Sequence, residues 1–193
     1  MNAQSETSSS GRAPGPRHLA AGILAAWMTA VCSVPAAVSG QAVSEPALKA
    51  AFLFNFVKFA TWPEDALPPR APVVLCTTDE EVAAALEGQV ANRTVNDRAL
   101  VVRRVKPQAP LRGCSLVYTG GLDERRAKAV LATLAGTSVL TVGDAEEFAA
   151  AGGMIGLFVA DGRMKFTINL GAVGRTRVRL SSQLLTLAKV IKG

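Results

Sequence analysis

The chain has 193 residues, 49% apolar and 19% charged, with a formal net charge of +6. This is enough for one compact domain with a real core and too little for two ordinary ones. Its single histidine, His18, falls in a leader-like start, so a processed chain would have no imidazole base, no histidine metal ligand and no Ser-His or Cys-His nucleophile pair.

The first 40 residues differ from the rest. A polar Ser/Gly/Pro-rich start gives way to Arg17 and His18 and then to an uncharged stretch over residues 19–44. This layout predicts a signal peptide, residues 1–40, cut near residues 39–42 after the small residues of "AAVSG". An uncleaved membrane anchor is the alternative, because the uncharged stretch is long enough to cross a bilayer. Lipidation at Cys32 is disfavoured by the bulky Val31 before it. Removing residues 1–40 takes away two arginines and one glutamate and lowers the net charge from +6 to +5. Residues 41–193 then form the folded domain, with Cys76 and Cys114 as its only cysteines. In an oxidising compartment a single disulfide between them is the expectation, two buried free thiols being the alternative.

The next segment, "LKAAFLFNFVKFATWP" over residues 48–63, holds four phenylalanines and a tryptophan. Leu48, Phe52, Phe56 and Phe59 recur at helical spacing, with Leu53, Val57 and Ala60 as an adjacent stripe. Ser44 caps this predicted helix, Pro46 suits its first turn, and Pro63 ends it. Lys49, Asn55 and Lys58 are assigned to water. Burial of each large side chain is worth about 1.5–3 kcal/mol, so the stripe reads as core. Phe54, which points away from the stripe, and Trp62 at the exit remain as contact candidates.

"VVLC" predicts a buried strand, followed by a helix in "TDEEVAAALEG" capped by Thr78 or Asp79 and ended by Gly88. "ALVVRRV" is a second strand and "CSLVYTGG" a third, leading into the helix of "LDERRAKAVLATLAG". There Ala127, Val130, Leu131 and Leu134 share a face. "SVLTV" is a fourth strand, "GDAEEFAAAGG" a short helix and "MIGLFV" a fifth strand. Asp161-Gly162 between two apolar alternating runs predicts an antiparallel hairpin with "MKFTINL". Val173, Arg177, Leu180, Leu184, Leu187 and Ile191, at spacings of four and three, predict one long terminal helix. The fold class is therefore α/β: a single domain whose mixed β-sheet carries a C-terminal antiparallel hairpin and is flanked by helices.

Catalytic signals are weak. "TGGLDE" sits between a strand and a helix but lacks both the G-x-G-x-x-G spacing and a P-loop lysine, so it reads as a tight connection. The acidic pairs Glu80/Glu81, Asp123/Glu124 and Glu146/Glu147 fall in first helical turns, where carboxylates favour the dipole. No cofactor and no metal site is expected. The basic clusters lack interleaved aromatics, which argues against nucleic acid. Arg175, Arg177 and Arg179 alternate in "GAVGRTRVRLSSQLL" and form the more plausible partner surface.

The motifs "KAAFLFNFVKFATWP", "VVLC", "GCSLVY", "SVLTVGDAEEFAAAGGMIGLFV", "MKFTINLGAV" and "LSSQLLTLA", in this order over about residues 48–190, resemble the YfiR family of exported bacterial proteins. The resemblance implies a periplasmic, non-enzymatic protein. It would repress an inner-membrane diguanylate cyclase through the cyclase's sensor domain and so lower cyclic di-GMP. It also implies redox control, since reducing a Cys76–Cys114 bridge would loosen the domain. Two departures are evident: Thr167 stands where the family pattern has Glu, and "TRVRL" precedes "SSQLL". Other partners consistent with the chain are a different membrane sensor protein or a second copy forming a homodimer. A separate functional class is a periplasmic small-ligand-binding module serving a sensor kinase or transporter, with the aromatic helix lining its pocket.

Overall fold

The computed structural model describes residues 43–106 and 108–193, so the expected leader, its cleavage site and Cys32 lie outside the described residues. Helix α1, Glu45–Lys58, begins where predicted. The Ser44 side chain accepts the Ala47 N–H at 3.4 Å, and Pro46 occupies the first turn, where its missing N–H costs nothing. After the short strand β1, Ala60–Thr61, come β2, Val73–Thr77, and helix α2, Glu80–Val90. Asp79 caps α2 by accepting the Val82 N–H at 3.0 Å. Gly88 does not end this helix, contrary to the sequence reading. Val90 is buried two residues further on, and its packing outweighs the roughly 1 kcal/mol that an internal glycine costs.

Strands β3, Thr94–Val95, and β4, Arg98–Arg104, form a small hairpin not anticipated from sequence. Asn96 and Asp97 at its turn both have positive φ, 50° and 61°, the backbone that a two-residue hairpin turn requires. Then follow β5, Leu116–Tyr118; α3, Glu124–Leu134; β6, Leu140–Gly143; α4, Glu147–Ala150; β7, Ile155–Ala160; and β8, Arg163–Asn169. The β7–β8 hairpin turns at Asp161-Gly162 and is antiparallel, as predicted.

The tail departs most from expectation. In place of one long helix there are α5, Leu170–Gly174; β9, Arg179–Leu180; α6, Ser182–Thr186; and β10, Lys189–Ile191. The apolar spacing of four and three is real, but two glycines weaken the helix at its start. From residue 177 the pattern alternates: Arg177 and Arg179 are exposed while Val178 is buried, the period of a strand. Asn169 caps α5 and Ser181 caps α6, so the sequence contains two separate helix starts.

The main sheet has eight strands in the order β10-β8-β7-β6-β5-β2-β4-β3. The block β7-β6-β5-β2-β4 is parallel, β8 runs against β7, and β10 runs parallel to β8. Strands β1 and β9 pair separately as a two-stranded antiparallel ribbon.

Alternation along the strands divides the core. Leu75, Leu116, Tyr118, Leu140, Val142, Ile155 and Ile168 belong to one large cluster with Leu53, Phe56, Val57 and Leu86 of α1 and α2. Phe56 packs edge-on against Phe166 with ring centroids 5.2 Å apart, and Phe52 joins both rings. Cys76, Cys114 and Val117, on the other face, form a second cluster with Leu134 of α3. Leu134 is the one buried residue of α3; Ala127, Val130 and Leu131 are half-buried, so this helix rests on its face only lightly.

Helix α1 runs against the parallel strands. Near its start Lys49 reaches Asp144, just past the carboxyl end of β6. Beyond its end the Trp62 indole reaches Ser115, just before the amino end of β5. The sheet thus has two chemically distinct ends.

Candidate functional site

At the amino end the β1–β9 ribbon carries most of the residues singled out from sequence. Its register places Thr61 opposite Arg179 and Ala60 opposite Leu180, and the Ser181 N–H donates to the Phe59 carbonyl at 2.9 Å. The next residue, Trp62, is half-buried, and its Nε1–H donates to the Ser115 carbonyl at 3.0 Å. That bond anchors the indole to the main sheet. Pro63 then opens a turn whose carbonyl accepts the N–H groups of Ala66 and Leu67, and the turn presents Asp65.

Arg177 meets Asp65 with both prongs of its guanidinium, Nη1–Oδ1 at 3.0 Å and Nη2–Oδ2 at 2.5 Å. The hydrogen bond from Arg177 holds the Asp65 carboxyl below its ordinary range. Both side chains are exposed, so the pair fixes geometry more than it stabilises the fold. Arg175, the C-cap of α5, and Arg179 are exposed on either side of it. Residues at least 110 positions apart in the chain, Trp62 and Asp65 on one side and Arg175, Arg177 and Arg179 on the other, are thereby gathered at one end of the sheet.

Phe54 is placed differently. It is only 8% exposed, belongs to the large core cluster, and is overlaid by the Arg93 guanidinium at 5.3 Å and the Lys58 ammonium at 5.9 Å. The cations, more than the ring, meet water there. The rest of the aromatic segment is core, as its spacing predicted, and Phe52, Phe56 and Phe59 pack in that same cluster.

Cys76 and Cys114 are joined by a disulfide that ties β2 to the segment entering β5. The Arg103 side chain lies along it, donating from Nε to Cys76 Sγ at 3.2 Å and from Nη2 to Cys114 Sγ at 2.7 Å and to the Arg112 carbonyl at 2.8 Å. Sequence reasoning did not single out Arg103 among the chain's cations. The signal it missed is register, since Arg103 pairs with Cys76 across β2 and β4.

The carboxyl end holds groups that sequence reasoning did not assemble. Lys49, expected to face water, is only 11% exposed and makes ion pairs with Glu45 at 2.7 Å and Asp144 at 2.9 Å. Desolvation opposes its charge, but the hydrogen bonds and charges of Glu45 and Asp144 outweigh that and hold its pKa above the ordinary lysine value. The Tyr118 hydroxyl is buried beside this pair, next to the Asp144 carboxylate, and makes no hydrogen bond of normal geometry among the described residues. Burial, and after it the negative charge of Asp144, pushes its pKa up. Gly120 is required here, because a Cβ at that position would fall 2.3 Å from the Tyr118 ring. Among the described residues no group of histidine, cysteine, aspartate or glutamate is placed to hold a metal ion, and no helix is long and apolar enough to cross a membrane.

This architecture defines an α/β domain with a mixed, disulfide-tied sheet and a small accessory ribbon at one end. The profile of the YfiR/HmsC-like family matches residues 46–189, and the chain belongs to that family. The family is one of periplasmic regulators of cyclic di-GMP signalling, a regulatory rather than a catalytic role, exercised with membrane signalling partners. Among solved structures, the crystal structure of a conserved domain protein from Vibrio cholerae O1 biovar El Tor is similar at 15% identity and a TM-score of 0.46. The match covers 77% of this chain and 60% of that protein, so the chain spans less than two thirds of its length.

Proposed function

We propose that the protein is an exported, non-enzymatic regulator that docks on the periplasmic sensor domain of an inner-membrane diguanylate cyclase and represses it. The observation that carries this reading is the ribbon. Trp62 is anchored by its indole N–H, and Arg175, Arg177 and Arg179 stand exposed beside it, with Asp65 holding Arg177 in place. Arginine and tryptophan are the residue types that most often dominate binding energy at protein interfaces. Docking this end of the sheet on an acidic sensor surface would lower cyclic di-GMP without any chemistry in the domain itself.

The test compares intracellular cyclic di-GMP in the host with and without the gene, complemented by wild type, by a chain lacking residues 1–40, and by Arg175→Ala/Arg177→Ala. Deletion is expected to raise cyclic di-GMP, and only the exported wild type is expected to restore it. The double variant should fold normally, since exposed substitutions away from special features usually stay within about 0.5 kcal/mol, and should fail to restore repression. Unchanged cyclic di-GMP on deletion would overturn the cyclase reading. Full repression by the double variant would remove the ribbon as the docking surface.

A further inference from the structure

A cleft of about 650 Å³ opens at the carboxyl end of the parallel strands, between α3 and the segment that follows β4. Its size falls in the range of small-molecule sites. Its position is also that of a ligand crevice. From β2 the chain turns through Thr78 into α2 on one face of the sheet, and from neighbouring β5 it turns through Thr119 into α3 on the other. Connections diverging to opposite faces at adjacent strand ends leave a gap, and α/β sheets bind ligands in such gaps.

The lining has two chemical halves. Val105, Leu111, Val117 and Val130 form an apolar floor and belong to the cluster that surrounds the Cys76–Cys114 disulfide. Lys106, Arg125 and Arg126 supply positive charge, and the described lining contains no carboxylate. Arg126 is partly engaged by Asp123 at 3.4 Å; among the described residues Lys106 and Arg125 make no ion pair. Thr78, Thr119 and Thr133 also line the cleft, but their hydroxyls donate to the carbonyls of Gly120, Val142 and Ala129, so the recognition of charge falls to the cations. Two arginines in the first turn of α3 also oppose the helix dipole, an arrangement that an anion seated between them would relieve.

We propose that this cleft binds a small organic anion, an apolar body carrying one negative group, with the body on the valine and leucine floor and the charge at Lys106 and Arg125. The site lies at the opposite end of the sheet from the ribbon, so it goes beyond the docking proposed above and stands or falls separately. The light seating of α3, buried only at Leu134, leaves the helix free to adjust around an occupant.

The probes are 8-anilinonaphthalene-1-sulfonate, which has this chemistry, and its uncharged analogue N-phenyl-1-naphthylamine, titrated by fluorescence into the purified, folded protein with its disulfide intact. The sulfonate is expected to bind one to one and about tenfold tighter than the uncharged dye, the scale of one charge-assisted contact. Lys106→Gln/Arg125→Gln should abolish that preference while leaving binding of the uncharged dye as it is. Arg163→Gln, a cation on β8 outside the cleft, should change nothing. Ala129→Trp, which fills the cleft from the α3 wall, should weaken both dyes at unchanged circular dichroism. Equal affinity for the two dyes, a preference that survives the double variant, or an equal loss in Arg163→Gln would overturn the proposal. If Ala129→Trp fails to fold, the charge variants decide alone.

Discussion

Tyr118 is the only tyrosine in the chain, so its ionisation can be followed without interference from another phenol. The side chain is fully buried, roofed by the Gly120 backbone, and its hydroxyl makes no hydrogen bond of normal geometry among the described residues. Burial first, and the Asp144 charge second, disfavour the phenolate, so the folded protein holds this proton above the ordinary value of 10.0, at which the unfolded chain releases it. The resulting stability is fully present below pH 10.0 and is lost as the pH rises towards the folded-state pKa, by about 1.4 kcal/mol per pH unit. Lys49 contributes in the same direction, because its folded-state pKa is also raised, so the comparison of wild type with Tyr118→Phe isolates the tyrosine. The assay pairs denaturant unfolding across alkaline pH with ultraviolet absorbance of tyrosinate. Wild type should ionise only as it unfolds. Tyr118→Phe should have a shallower alkaline slope, because it has no phenol to ionise on unfolding. A smooth ionisation centred at the ordinary tyrosine value, with unchanged circular dichroism, would refute the reasoning.

The disulfide closes a loop with a sequence separation of 38, and its loss should cost about 4 kcal/mol on the loop-entropy account. Denaturation midpoints of Cys76→Ser and of the reduced wild type should fall together; equal midpoints with and without reductant would contradict this. Gly143→Ala should destabilise by about 1–3 kcal/mol, because its Cβ would fall 2.0 Å from Phe148 Cγ while Gly153 holds the other edge of the same ring. Gly136→Ala is the contrasting control: its Cβ would meet nothing within 4 Å, so its cost should come only from its positive φ of 72°. Thermal unfolding of the two variants distinguishes collision from backbone strain.

Much of the fold was legible because local signals agreed with one another. The helix starts at Ser44 and Asp79 each combine a capping side chain with an apolar period behind it, and both caps form. The β7–β8 hairpin was readable from Asp161-Gly162 between alternating runs. The tail was misread because the same leucines satisfy two periods. Leu180 and Leu184 lie four residues apart, as on a helix face, yet Leu180 belongs to a strand and Leu184 to the next short helix. Choosing between those periods requires the partner of β9, which is β1, about 120 residues earlier in the chain. No local pattern contains that information.

The candidate site divides along the same line. Composition alone singled out Trp62 and the arginines of the tail, since an aromatic at a helix exit and alternating cations beside glycines are locally unusual. What composition could not supply was their meeting, which depends on the β1–β9 register. The carboxyl-end groups were invisible for the complementary reason: Lys49, Tyr118 and Asp144 are individually ordinary and come from three separate stretches of the chain. Lys49 looked like a solvent-facing cation of an amphipathic helix. It is a half-buried partner of Asp144 because α1 runs against the strands and delivers its first turns to their carboxyl ends. A lysine on the first turns of a helix opposes the dipole, and here the carboxylates of Glu45 and Asp144 compensate. That local conflict was the one sequence-level hint that position 49 answers to something other than water.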